Sequence, residues 1–136
     1  MTAKRTVLFL CTGNSCRSQM AEAITNARFP DWRAFSAGTH PAAIVHPMTI
    51  RVLEEIGIAH DGQPKAADAF RDREFDLVVT VCDDANEECP VWLGKGRRLH
   101  HSFPDPARAL GTVERRLAAF RLVRDRISDS LPQILA

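Results

Sequence analysis

Two short runs are apolar rather than alternating and rich in β-branched or aromatic residues, Val7-Leu8-Phe9-Leu10 and Leu77-Val78-Val79-Thr80-Val81, the second broken only by Thr80. A strand with one wet face alternates apolar and polar positions, so runs of this kind and length read as strands buried on both faces of a parallel sheet. Strands are accordingly predicted at Thr6 to Leu10 and Leu77 to Val81, with two more at Arg33 to Ser36 and Arg98 to Ser102. Between them the period changes to that of a helix. Met20, Ala23, Ile24 and Ala27 share one face, as do Met48, Val52 and Ile56 further on, where Gly57 supplies a C-terminal cap. Thr112 is placed to cap a long final helix whose apolar face runs Val113, Leu117, Phe120, Val123, Ile127, Leu131, the other face being rich in arginine. Alternating strands and helices predict an α/β fold: a doubly wound, parallel four-stranded sheet with helices on both faces. No repeat, linker or low-complexity tract divides the chain, so residues 1–136 are expected to form a single domain. In such sheets ligands sit at the carboxyl ends of the strands, which directs attention to the loop after Leu10.

Composition narrows the ligand. Hydrophobic residues make up 45% and charged residues 26%, ordinary for a soluble globular protein, and no apolar run approaches the ~18 residues of a membrane span. A net charge of +1 provides no broad basic field for nucleic acid or an anionic membrane, so any anion has to be recognised locally. Lys4 and Arg5 precede an apolar stretch too short for a signal peptide. Four cysteines without a targeting segment point to a reducing, cytoplasmic compartment, where thiols serve metal binding or catalysis.

The loop after Leu10 reads Cys11-Thr12-Gly13-Asn14-Ser15-Cys16-Arg17-Ser18, a C-x5-R-S pattern between a buried strand and a helix. Gly13 permits positive φ and Asn14 tolerates it, so successive backbone N–H groups from Thr12 to Ser18 can curl into an anion-binding nest. The following helix adds its N-terminal dipole and unpaired N–H groups. A tetrahedral oxyanion would sit inside this ring above Cys11, closed by the planar fork of Arg17. The same positive surroundings favour the Cys11 thiolate, to which Ser18 can donate a hydrogen bond. Cys16 is read as loop packing. A plain strand-to-helix turn would explain the Cys, Gly, Asn and Ser residues, but not a guanidinium at this spacing.

With these residues in place, the segment Val7 to Glu22 resembles the loop of the low-molecular-weight protein tyrosine phosphatase superfamily, most closely its thioredoxin-coupled arsenate reductase branch. The resemblance continues through Ser36-Ala37-Gly38, the strand ending at Cys82, and Asp105-Pro106. It implies a flavodoxin-like order of strands and reduction of arsenate to arsenite. Asp105 stands between Pro104 and Pro106, which stiffen the backbone around it; taken alone the segment is a turn, and in the family such an aspartate is the general acid. Cys82 ends a buried strand, and Cys89 follows in the acidic segment Asp83-Asp84-Ala85-Asn86-Glu87-Glu88. Either cysteine alone would read as a small hydrophobe. As a pair behind a Cys11 loop they imply a relay in which Cys82 attacks the Cys11 adduct and Cys89 then attacks Cys82, with thioredoxin as external reductant. A phosphatase needs no second thiol.

Structural zinc is disfavoured, because Cys82 and Cys89 are seven positions apart where C-x2-4-C spacing is usual; His100 or His101 is read as core or loop support. Members of the resembled branch can hold a monovalent cation through residues matching Asn14, Glu22 and Ser36. Here Lys65 falls where another carboxylate is expected, so its ammonium replaces the cation and no metal is predicted. The expectation is therefore a monomeric cytoplasmic enzyme without a tightly bound cofactor, acting on arsenate with thioredoxin as partner, and with neither nucleic acid nor membrane involved. Two rivals share the loop: a phosphatase acting on phosphotyrosine, and a non-enzymatic oxyanion or redox sensor. Against the first stand Ala107-Arg108-Ala109 after the Asp-Pro pair, where the phosphatase branch carries aromatic residues, and the absence of tyrosine from the chain. A sensor would not require Asp105.

Overall fold

The computed structural model describes residues 3–83 and 96–136; Cys89 and most of the acidic segment around it lie outside these described residues. Four parallel strands form one sheet: β1 (Arg5–Cys11), β2 (Trp32–Gly38), β3 (Leu77–Thr80) and β4 (Arg97–His100), in the order β2-β1-β3-β4. Val7 to Cys11 of β1 and Leu77 to Val79 of β3 are buried on both faces, which explains their unbroken apolar sequence. Val7, Phe9 and Cys11 of β1, with Leu77 and Val79 of β3, face one core, while Leu8, Leu10 and Val78 face the other. β4 is an exposed edge strand carrying Arg97 and Arg98, and it begins and ends earlier than the run Arg98 to Ser102 that its sequence suggests. β2 is longer than its apolar core predicts because its backbone follows β1 in register from Arg5↔Trp32 to Cys11↔Gly38.

Three α-helices cover the first core: α1 (Arg17–Arg28), α2 (Pro47–Glu54) and α3 (Val113–Ile134). The α3 stripe packs as its period predicts, with Leu117, Phe120, Val123, Ile127 and Leu131 buried and Thr112 Oγ1 accepting from Arg115 N at 3.2 Å as the cap. Val113, at the start of that stripe, is exposed. Gly57 closes α2 with φ 82°, Ile58 N returning to Leu53 O at 3.0 Å. A surface clamp joins these helices: Arg121 and Arg124 both bind Glu55, and Arg124 Nη1 also donates to Val52 O. The opposite face of the sheet is covered, among the described residues, by the 3-10 helix Ala67–Phe70 and the cluster Phe35, Phe70 and Phe75. No helix among the described residues is long and apolar enough to cross a membrane.

Candidate active site

The loop from Cys11 to Arg17 joins the carboxyl end of β1 to α1 and lines a cavity of about 260 Å³, together with Asp105 and Ala107. Cys11 is 2% exposed at its base. Its Sγ lies 2.9 Å from Ser18 Oγ and receives Asn14 N–H at 3.3 Å. Because Asn14 Nδ2 already donates to Ser18 Oγ at 2.8 Å, the serine hydroxyl is left to donate to the sulfur. Two hydrogen-bond donors thus converge on the sulfur. α1 begins at the cavity without a side-chain cap hydrogen bond or an acidic residue in its first turn, so the positive end of its dipole is not offset by a carboxylate there.

The left-handed residue of the loop is Asn14, φ 51°, and not Gly13, whose φ is not positive. The conformation is held because Asn14 is fully buried and its side chain satisfied at both ends: Oδ1 accepts from Lys65 N at 2.8 Å and from Gln19 Nε2 at 3.1 Å. The loop is also braced from β2. A Cβ on Gly38 would come within 2.4 Å of Thr12 O, so only glycine lets the two backbones pass. His40, Ala42 and His46 donate backbone N–H groups to the carbonyls of Thr12, Gly13 and Ser15, turning those oxygens away from the anion position.

Arg17 is 4% exposed; Nη1 donates to Phe103 O at 3.3 Å and Nη2 lies 3.9 Å from Asp105 Oδ2. Asp105, about a quarter exposed, also caps the 3-10 helix Pro106–Arg108 by accepting Ala107 N at 3.0 Å. Acid and guanidinium therefore meet at one rim, the acid anchored by one oxygen and the other turned to Arg17. Cys16 lines the cavity too, but burial pushes its thiol up to about 11, so it stays protonated at neutral pH. Cys82 is fully buried in the same core as Cys11, two residues beyond β3, with Sγ 4.0 Å from Leu10 O. It is brought to the same side of the sheet as Cys11 but is not among the residues lining the cavity. Cys89 falls outside the described residues.

The whole chain from residue 6 to 136 matches the family of low molecular weight phosphotyrosine protein phosphatases. The chain belongs to this family. Among its relatives is an arsenate reductase of Bacillus subtilis (strain 168), 41% identical over 129 residues, covering 93% of this chain and 92% of the relative. A solved arsenate reductase in the phosphate-binding state superposes with a TM-score of 0.78 at 28% identity, covering 96% of each chain. A thioredoxin-dependent arsenate reductase of Corynebacterium glutamicum superposes at 0.65 with 26% identity, over 98% of this chain and 63% of that one.

The family fold also contains residues that the sequence does not announce. Gln19, Gly38 and the carbonyl of Phe103 all support the loop or its arginine. Gln19 and Gly38 both lie in segments that carry the family resemblance, Val7 to Glu22 and Ser36-Ala37-Gly38, but nothing local gives either a supporting role. Beneath the loop, part-buried Glu22 accepts from Ser36 Oγ at 3.1 Å and lies 3.8 Å from Lys65 Nζ. Burial raises the Glu22 carboxyl and the Lys65 charge opposes that rise. This cluster already holds a tethered ammonium, and among the described residues no group of three or more His, Cys, Asp and Glu side chains is placed to bind a metal. His100 Nδ1 pairs with Thr80 Oγ1 at 2.6 Å and His101 stacks on Phe103, so both histidines support the β4 edge and the loop that follows.

Proposed function

We propose that this phosphatase-family chain reduces arsenate to arsenite, with Cys11 as nucleophile and a Cys11–Cys82–Cys89 disulfide relay regenerated by thioredoxin in the cytoplasm. The observation that carries this reading is the second thiol, Cys82, buried in the same core as Cys11 beneath the oxyanion loop. The loop N–H groups and Arg17 bind the arsenate oxygens, and the Cys11 thiolate attacks arsenic(V). One oxygen departs as water after Asp105 delivers its proton. The Cys82 thiolate then attacks Cys11 Sγ; the sulfur–arsenic bond breaks, its electron pair stays on arsenic, and arsenite leaves as arsenic(III). Cys89 attacks Cys82, freeing Cys11 and leaving a Cys82–Cys89 disulfide. The thioredoxin dithiol takes up that oxidation, so two electrons pass from thioredoxin to arsenic per turnover.

Three further features support the assignment. Relatives at about 40% identity over nearly the whole chain are arsenate reductases. A neighbour of the same fold is thioredoxin-dependent. The cavity wall beyond Asp105 is Ala107, and among the described residues no aromatic side chain lines it, so none of them offers a phosphotyrosine ring a flat partner. Lys65 beside Glu22 supplies the positive charge that would otherwise call for a monovalent cation. Arsenate added with thioredoxin, thioredoxin reductase and NADPH should give sustained NADPH loss. Turnover of aryl phosphates with no arsenate-dependent NADPH loss would make the chain a phosphatase.

A further inference from the structure

One polar cluster behind the loop is not used by the chemistry above. Gln19, on the first turn of α1, is fully buried, and its Nε2 lies 3.1 Å from three acceptors: Asn14 O, Asn14 Oδ1 and Gln63 O. Three oxygens around one amide nitrogen fix the orientation of the amide. Its Oε1 therefore faces His60 Nε2, 2.7 Å away, and that nitrogen carries a hydrogen. From Gln19 the connection continues through Asn14 Nδ2 to Ser18 Oγ and on to Cys11 Sγ. Gly62 lies directly over the bond between His60 and Gln19. A Cβ there would be 2.6 Å from both Gln19 Oε1 and His60 Nε2, although its φ lies outside the left-handed region. The segment from His60 to Lys65 thus forms a strap under the loop, touching Gln19 through His60 and Gln63 and Asn14 through Lys65 N.

We propose that Gln19 and His60 are positioning residues for the nucleophile: His60 locks the Gln19 amide, and Gln19 holds Asn14 in the conformation that aims its N–H and the Ser18 hydroxyl at Cys11. The inference rests on Cys11 being the nucleophile. Protonation of His60 does not break the lock, since Nε2 donates in either state. The charged groups nearby are Lys65 and Asp61, which act in opposite directions, and burial favours the neutral ring. Loss of the lock lets Asn14 shift, removing its N–H from the sulfur while leaving the N–H groups at the start of α1 in place. The consequence is a weaker nucleophile with little change in substrate affinity.

The test compares His60→Leu, His60→Gln, Gln19→Leu and Gly62→Ala in the full chain. The readouts are the rate of Cys11 alkylation by iodoacetamide at neutral pH, resolved by peptide mass spectrometry, the kcat and KM for arsenate, and Tm. Gly62→Ala adds one methyl group and removes no polar atom, so it keeps the question open to test if Gln19→Leu fails to fold. His60→Leu and Gly62→Ala should each slow Cys11 alkylation and lower kcat by about tenfold, the effect of one lost hydrogen bond, with KM within about twofold. His60→Gln keeps a donor and should stay within about threefold of wild type. Folded His60→Leu and Gly62→Ala proteins with wild-type alkylation rates and only a lower Tm would overturn the positioning role. A wild-type Cys11 no more reactive than Cys16 would instead overturn the nucleophile assignment on which the inference rests.

Discussion

Replacing Arg17 with lysine separates charge from geometry at the oxyanion site. The guanidinium is 4% exposed, donates to Phe103 O through Nη1, and turns Nη2 towards Asp105 at 3.9 Å, so under the proposed function it would hold the anion and the aspartate together. Lysine keeps the positive charge but presents a single nitrogen. It cannot contact the anion, the Phe103 carbonyl and the aspartate at once. Loss of one preorganised donor to a transition-state oxyanion costs about 3–4 kcal/mol, or 10²–10³ in rate. Leaving the Phe103 carbonyl without its partner adds about 1 kcal/mol to the loss of stability. The expected result is a kcat/KM for arsenate reduced by about 10²–10³-fold, with weaker binding of phosphate as a competing oxyanion and a small fall in Tm. Steady-state NADPH-coupled kinetics, phosphate titration and thermal unfolding measure the three. Wild-type kcat/KM in a protein that has lost only stability would remove Arg17 from the oxyanion clamp.

Asp105→Asn keeps an oxygen to accept Ala107 N, so the protein should fold, while the first turnover slows by about 10²-fold for want of a proton donor; rapid quench of the arsenate adduct reads this, and a native rate would make Asp105 structural. Lys65→Asp replaces the tethered ammonium beside Glu22 with a second carboxylate, so activity should become dependent on potassium where the wild type works equally in potassium and a bulky organic cation; equal insensitivity in both would sink the substitution argument. Glu55 is held down to about 2, chiefly by its hydrogen bond from Arg121, against 4.5 when unfolded. A depressed carboxylate stabilises the fold above its unfolded value and loses that contribution as pH falls from about 4.5 towards 2. Because the clamp is on the surface, Glu55→Gln should cost about 1 kcal/mol at pH 7, and the difference from wild type should close near pH 2–3; urea unfolding at several pH values checks it, and a gap independent of pH would contradict it.

The elements legible in the sequence are those whose signal is local. Val7 to Leu10 and Leu77 to Val81 announce central strands because both faces of each are buried, and Thr112 and Gly57 mark helix ends by their own hydrogen bonds and φ. The ends of β4 differ from the run Arg98 to Ser102 because its residues are Arg97-Arg98-Leu99-His100, with no apolar alternation to fix them; its bounds come from register with β3. At the site, Cys11, Arg17 and Ser18 follow from the spacing of one loop. The placing of Asn14, rather than Gly13, in the left-handed conformation does not, since it depends on Lys65 N–H arriving from fifty-one positions away. Gln19 is invisible for the same reason: it looks like an ordinary polar residue on a helix until Gln63 and His60 are brought against it.

The central claim is that arsenate takes its two electrons from protein thiols, which are left as a disulfide, and it is tested most directly by mapping disulfides after a single turnover. Reduced protein, freed of reductant and given one equivalent of arsenate, should release one arsenite and accumulate a Cys82–Cys89 disulfide with Cys11 returned to its thiol. Cys89→Ser should release the same single arsenite and stop with Cys11 bonded to Cys82. Arsenite release from wild type without any disulfide, or a full single turnover by Cys82→Ser ending in a Cys11–Cys89 bond, would contradict the relay.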